Sequence, residues 1–303
     1  MHNAHEYRSG GKSYLKKTTV YIPPQIQVLE PVGEKMMDRK LKLAVGGLPR
    51  TMAALTILLV GPIATQAASA KPTIVLVHGA MADSSSWNGV IPLLAKDGYN
   101  VVAVADPLRS VAGDAASVAS VIKSIDGPVV LVGHSYGGAV ITNAANGNKN
   151  VRALVYVAAF APEKGESAFA LIGKFPGSEL GAALAKPVRL SDGGNDLSVD
   201  PAKFAGPFAA DLPHEQVTLM AITQRPVTEA ALKEDSGPAA WRTIPSYFVY
   251  GAADKSIPPA LHAFMAKRAQ ARDIVVVPGA SHVVMLSHPQ QVAHVIEEAA
   301  QAD

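Results

Sequence analysis

Cysteine is missing from all 303 residues. That absence removes thiol catalysis, iron–sulfur clusters, thiolate zinc sites and disulfide frameworks. Charge is sparse as well. Only 17% of the residues are charged, and 27 Lys/Arg stand against 25 Asp/Glu for a net charge of +2. No basic stripe of the kind that binds nucleic acid stands out. The small excess sits in residues 1–70, with nine Lys/Arg against four Asp/Glu, while residues 71–303 carry 18 against 21. The body is therefore mildly acidic. A long membrane span is lacking too. The apolar run at 51–64 has 14 residues and includes Gly61 and Pro62, whereas a spanning helix needs about 20. What is plentiful is apolar residues, 49% of the chain with 6% aromatic, enough at this length to bury one large core or two small ones.

The apolar run has flanks with a meaning. A basic stretch begins at Asp38-Arg39-Lys40-Leu41-Lys42 and ends at Arg50, and the run is followed by Thr65-Gln66-Ala67-Ala68-Ser69-Ala70. Basic, apolar, then small-x-small is the layout of a secretory signal. Ala68 and Ala70 place the cut before Lys71, so the expected mature protein is exported, periplasmic or secreted, with no membrane anchor left. Export suits a chain with no thiol to mispair in an oxidising compartment. Met36 or Met37 is the more natural start of such a signal. That leaves residues 1–35 as a polar upstream extension, expected to be disordered, and 36–70 as the signal peptide.

From residue 71 the chain alternates short β-branched runs with longer Ala-rich stretches, which predicts a parallel α/β sheet. Strands are expected at 73–77, 100–105, 128–132, 151–157, 246–250 and 273–277. Helices are expected at 86–97, 111–125, 137–145, 259–271 and 290–300. The rhythm breaks over 162–243, which is rich in Gly, Pro, Ala and Phe and has no clear strand. Six buried strands interrupted once predict a single domain, 71–303, with an inserted, mainly helical cap.

At the third strand–helix junction stands Gly133-His134-Ser135-Tyr136-Gly137-Gly138, a G-x-S-x-G nucleophile elbow in the context that gives this motif its meaning. A tight turn lifts the Ser135 hydroxyl above the sheet, and small residues two positions away on either side leave it room. A serine needs a base to take its proton and a carboxylate to orient that base. His282, just past the last strand, is the one histidine at a C-terminal strand end downstream of Ser135. His262 and His294 fall in expected helices, and His214 and His288 flank prolines, so these four read as surface or packing residues. Asp254 follows the 246–250 strand and is the expected acid. Asp235 is the fallback, but it sits in the cap with no strand before it. Donors for a developing oxyanion are the backbone N–H groups of Tyr136 and, after the first strand, of Ala80 in His78-Gly79-Ala80-Met81. His78 is read as a brace for that loop. Met81, Tyr136, Phe169, Met220 and Trp241 are candidate walls of an apolar, uncharged substrate pocket.

These stretches resemble the α/β-hydrolase superfamily over about residues 72–302. The likeness is strongest to the branch that holds plant methylesterases, hydroxynitrile lyases and small bacterial carboxylesterases. Val157-Ala158-Ala159-Phe160-Ala161-Pro162 and His282-Val283-Val284-Met285-Leu286-Ser287-His288-Pro289 carry it together with the elbow and Val77-His78-Gly79-Ala80. The resemblance implies the α/β-hydrolase fold and a serine esterase working through Ser135, Asp254 and His282 on a small ester, without a cofactor or metal. Two departures stand against the lyases. Gly79 replaces their threonine, and Val283 replaces the lysine that follows their catalytic histidine. Two other readings use the same residues: a cofactor-free haloperoxidase or perhydrolase, and a ligand-binding protein with little turnover.

The signal layout carries its own test. N-terminal sequencing of exported material should begin at Lys71, and recovery of residues 38–64 in the mature protein would contradict it.

Overall fold

The computed structural model describes residues 71–302. The expected extension, signal peptide and cleavage point before Lys71 lie outside the described residues. Strands β1 (Thr73–Val77), β2 (Val101–Val104), β3 (Val129–His134) and β4 (Val151–Val157) come first. Three very short strands follow, β5 (Val188–Arg189), β6 (Asn195–Leu197) and β7 (Val227–Thr228), and then β8 (Ser246–Gly251) and β9 (Asp273–Val277). Six strands make one parallel sheet in the order β2-β1-β3-β4-β8-β9. Burial explains why the central strands are mostly apolar, while the edge strands β2 and β9 are partly exposed. All of β3 and all but Arg152 of β4 are buried, as strands covered by helices on both faces must be. This is the expected α/β-hydrolase architecture.

Winding direction reverses between β1 and β3. The chain passes from β1 outward to β2, returns across β1 to β3, and then runs the other way through β4, β8 and β9. Loops at the carboxyl ends diverge at such a point and leave a crevice there. Ser135, one residue past β3, stands in it.

The helices follow the apolar spacing. Val111–Lys123 starts at Ser110, whose hydroxyl accepts from the Gly113 N–H at 3.0 Å. It buries Val111, Val118 and Ile122. The last helix, Pro289–Gln301, buries Val292, Val295, Ile296 and Ala299 on one face. The helix expected at 86–97 is shorter and split into a 3₁₀ turn, Ser84–Trp87, and an α-helix, Ile91–Lys96. Pro92 explains the break, since its missing N–H and fixed φ suit only a first turn. β3 runs two residues beyond the expected 132 and carries Gly133 and His134.

Between β4 and β8 the 162–243 stretch holds short helices, but it is not helical throughout. β5, β6 and β7 form a small antiparallel sheet. Strands of two or three residues are too short to show alternation, so pattern reading passes over them. Their pairing rests on a turn in which Leu190 N–H donates to the Gly194 carbonyl at 2.9 Å.

A buried carboxyl lies just past β2. Among the described residues neither Asp106 side-chain oxygen has a partner within hydrogen-bond distance, and the residue is wholly covered. Burial, reinforced by Asp114 nearby, pushes its pKa up to about 8. An unfolded aspartate releases its proton near pH 4, so the folded state holds this proton more tightly. The stability it contributes is complete below about pH 4 and is lost as pH rises through 8. Asp106→Asn should therefore flatten the fall of melting temperature between pH 5 and 9 and raise stability at the alkaline end. Parallel thermal melts against pH check this, and identical slopes would refute it.

Candidate active site

Four loops at the carboxyl edge of the sheet supply the site. The first is the elbow after β3. Ser135 adopts φ +52°, a left-handed conformation that costs a side-chain-bearing residue about 1–3 kcal/mol. The turn closes so tightly that a Cβ on Gly133 would lie 2.6 Å from the Gly137 carbonyl oxygen. Backbone cannot give way at that distance, so only glycine fits.

His282 lies beyond β9, and its Nε2 stands 2.9 Å from Ser135 Oγ. Its Nδ1–H donates to Asp254 Oδ2 at 2.8 Å. Asp254 follows β8, and its other oxygen, Oδ1, accepts from the N–H groups of Ser256 at 2.8 Å and Ile257 at 2.9 Å. Burial alone would raise the Asp254 pKa. The charge interaction with His282 and the hydrogen bonds of His262 and His282 outweigh it and hold the carboxylate well below its usual range. These partners favour its ionised form. Asp235, the fallback acid, is exposed in the cap, and the carboxylate on His282 is Asp254.

The histidine loop is braced from two sides. His134 Nε2–H donates to the His282 carbonyl at 3.2 Å. From the cap, Asp211 Oδ2 accepts from the Ser281 N–H at 3.1 Å, the Phe208 carbonyl accepts from Ser281 Oγ at 3.3 Å, and the Phe208 ring meets the His282 ring edge-on at 5.1 Å.

The loop after β1 comes against the elbow. A Cβ on Gly79 would lie 2.6 Å from Ser135 Cβ and 2.9 Å from the His134 carbonyl oxygen, so the absence of a side chain at 79 lets the loop sit over the serine. His78 braces it: Nδ1–H donates to the Gly79 carbonyl at 3.0 Å, and Nε2 accepts from the Asp106 N–H at 3.0 Å. Burial lowers the His78 pKa, which suits this neutral donor–acceptor role. Met81 N–H is committed to the Arg225 carbonyl at 3.1 Å, whereas the Ala80 and Tyr136 N–H groups meet no protein acceptor among the described residues. The Tyr136 hydroxyl donates to Asp114 Oδ2 at 2.9 Å and anchors its side chain.

Ser135 opens on a cavity of about 360 Å³. Met81, Tyr136 and Phe169 line it as expected, with Ala80 beside them. Two expected walls do not. Met220 lines a separate cavity of about 380 Å³, to which Met81 also contributes. Trp241 is buried, its Nε1–H donating to the Pro162 carbonyl at 2.9 Å, and it holds the start of the cap instead. Leu180, Leu184, Leu197, Phe208 and Leu232 line the cavity and were not foreseen, because short cap segments give no periodicity to read. His262 was set aside as a helix residue. It is fully buried, with Nε2 3.0 Å from Asp254 Oδ2. The signal available was Pro258-Pro259, which starts a helix five residues after the acid and returns its first turn to it.

The alpha/beta hydrolase family profile matches residues 74–295. The chain belongs to the alpha/beta hydrolase family. It is 34% identical over 121 residues to a carbendazim hydrolyzing esterase of Nocardioides, a match covering 36% of this chain and 50% of that relative. The chain thus spans about half of that relative's length. It is 25% identical over 248 residues to Methylesterase 1 of Arabidopsis thaliana, covering 74% of this chain and 94% of that one. Among solved structures, polyneuridine aldehyde esterase shares the fold with a TM-score of 0.66 at 21% identity, over 76% of this chain and 99% of that one. These likenesses agree with the methylesterase branch. They support a carboxylic ester hydrolase, and ester hydrolysis as its general activity.

Gly79→Ala tests the packing of the loop on the elbow. Displacing either by a fraction of an ångström should lower ester turnover by about 10²-fold while leaving far-ultraviolet circular dichroism unchanged. Full turnover in that variant would mean that the loop accommodates a side chain.

Proposed function

We propose that this α/β-hydrolase is a serine hydrolase that cleaves small, apolar carboxylic esters through an acyl-enzyme on Ser135, with His282 as base and Asp254 as its orienting acid. The observation that carries the reading is the unbroken chain of hydrogen bonds from Ser135 Oγ through His282 to Asp254, 2.9 and 2.8 Å long, opening on an apolar cavity.

That geometry supports each step of the proposal. His282 Nε2 takes the Ser135 proton as Oγ bonds to the ester carbonyl carbon. The carbonyl oxygen becomes an oxyanion between the Ala80 and Tyr136 N–H groups, each donor worth roughly 3–4 kcal/mol in such sites. The C–O bond to the alcohol then breaks, and the alcohol leaves with the proton from His282. Water repeats the sequence: it loses a proton to His282, attacks the acyl carbon and releases the acid, and Ser135 regains its proton. Asp254 keeps its charge throughout and stabilises the imidazolium formed at each attack.

The cavity favours uncharged substrates. Its lining around the serine is mostly apolar, with Glu229 and Lys233 as the charged residues in it. The export expected from the signal layout is likewise a proposal, and it would place this activity outside the cytoplasm.

A serine-directed phosphonate should label Ser135 one to one. In a series of p-nitrophenyl esters, turnover should favour apolar acyl groups over charged ones. Asp254→Asn should keep the fold and lower kcat by about 10⁴-fold, whereas Asp235→Asn leaves it near the wild-type value. Absence of labelling would favour a binding protein with little turnover. Loss of activity in Asp235→Asn alone would move the acid.

A further inference from the structure

The acyl-transfer steps use one imidazole on Asp254, but the carboxylate carries two. His262, in the helix Pro259–Arg268, is wholly buried. Its Nε2 reaches Asp254 Oδ2 at 3.0 Å, the same oxygen that accepts from His282 Nδ1–H at 2.8 Å. With the two backbone donors on Oδ1, four hydrogen bonds converge on one covered carboxylate. The other nitrogen of His262, Nδ1, is buried with no partner, and the ring lies stacked on Tyr250 at 4.7 Å and 20°.

This arrangement admits one state of the ring. Only the Nε2–H tautomer donates to Asp254. A second proton on Nδ1 would be a buried donor without an acceptor, which is costly. Burial lowers the His262 pKa against the pull of Asp254 and keeps the ring neutral. A residue there only to fill space would be served by an aliphatic or aromatic side chain, with no bare nitrogen left in the core.

Resting on the proposed roles of Ser135, Asp254 and His282, we infer that His262 is a positioning residue: its Nε2–H fixes the orientation of the Asp254 carboxylate and shares the charge on Oδ2, which sets how firmly that oxygen holds the His282 Nδ1–H. The titratable groups around this unit are Tyr250 on the face of His262, His134 behind the His282 ring at 4.9 Å, and Asp211 on the Ser281 N–H. None of these three bonds to Oδ2, so the two imidazoles divide that oxygen between them.

The test pairs two variants with a measurement on the unaltered protein. His262→Phe keeps a ring against Tyr250 and removes the donor. It should lower kcat by about 10- to 100-fold, the equivalent of one lost hydrogen bond to a charged group, with little change in KM. It should also move the acid limb of the kcat/KM profile to higher pH, because a carboxylate with one donor fewer favours the protonated imidazole. His262→Gln restores an N–H donor and should recover most of kcat and the original limb. In the wild-type protein, ¹⁵N imidazole NMR should find His262 neutral and protonated at Nε2 from pH 5 to 9. A His262→Phe variant with a lower melting temperature but an unmoved limb and kcat would overturn the inference. So would an Nδ1–H tautomer in the wild type, which settles the matter even if the variant fails to fold. Phosphonate labelling separates the two levels. No labelling of the wild type would sink the serine-hydrolase reading, whereas equally fast labelling of wild type and His262→Phe would sink this inference alone.

Discussion

Ser135 stands in a backbone conformation it would not choose, and the rest of the site is arranged around the hydrogen bonds that keep it there. Its N–H donates to the Val157 carbonyl at 3.3 Å, and its carbonyl accepts from Gly138 N–H at 3.0 Å and Phe160 N–H at 3.1 Å. Strand β4, the loop beyond it and the helix Gly137–Ala144 therefore all hold the same turn. Strain of this kind persists only where the surroundings over-determine it. A fully buried parallel sheet with close-packed helices does so. The reward is a hydroxyl presented above the sheet, with a free N–H from Tyr136 next to it and Gly79 folded against it.

The electrostatics divide along the same edge of the sheet. On the β8 and β9 side a buried carboxylate is ionised because four donors converge on it. On the β2 side another carboxyl, Asp106, has no donor on its oxygens and keeps its proton far above the usual pH. The two share burial and differ in their neighbours: the His282 charge interaction and the hydrogen bonds on Asp254 favour its ionised form, whereas Asp114 adds to burial against the charge of Asp106. His78 lies on the second side and links the two halves of the site, holding the Gly79 loop with one nitrogen and the Asp106 backbone with the other.

The parallel sheet was readable because the central strands are covered on both faces and so are predominantly apolar. The elbow was readable because a tight strand–helix turn admits few residues. Ser135, Asp254 and His282 could be paired because chain order and strand ends restrict where partners can come from. The cap was legible only as an interruption. Its strands have two or three residues, and its cavity walls, Leu180, Leu184 and Leu197 among them, come from segments too short for any period to show. Trp241 and Met220 were assigned on size and polarity, which do not say which way a short helix points. His262 was passed over because a histidine in a helix carries no mark of burial, and its partner Asp254 is eight positions away across a turn made by two prolines.

The contacts of Ser281 with Phe208 and Asp211 have a consequence for how substrate enters. His282, the base of the proposed mechanism, does not belong to the sheet alone, since its loop is fastened to the 205–212 segment that also supplies a cavity wall through Phe208. Any displacement of that segment to admit a larger acyl group is transmitted to the imidazole 5.1 Å from the Phe208 ring. In the proposed mechanism, recognition and proton transfer thus share one mechanical element. A substrate that fits poorly is penalised twice, once in binding and again in the alignment of the base, so selectivity is expressed in kcat as well as in KM.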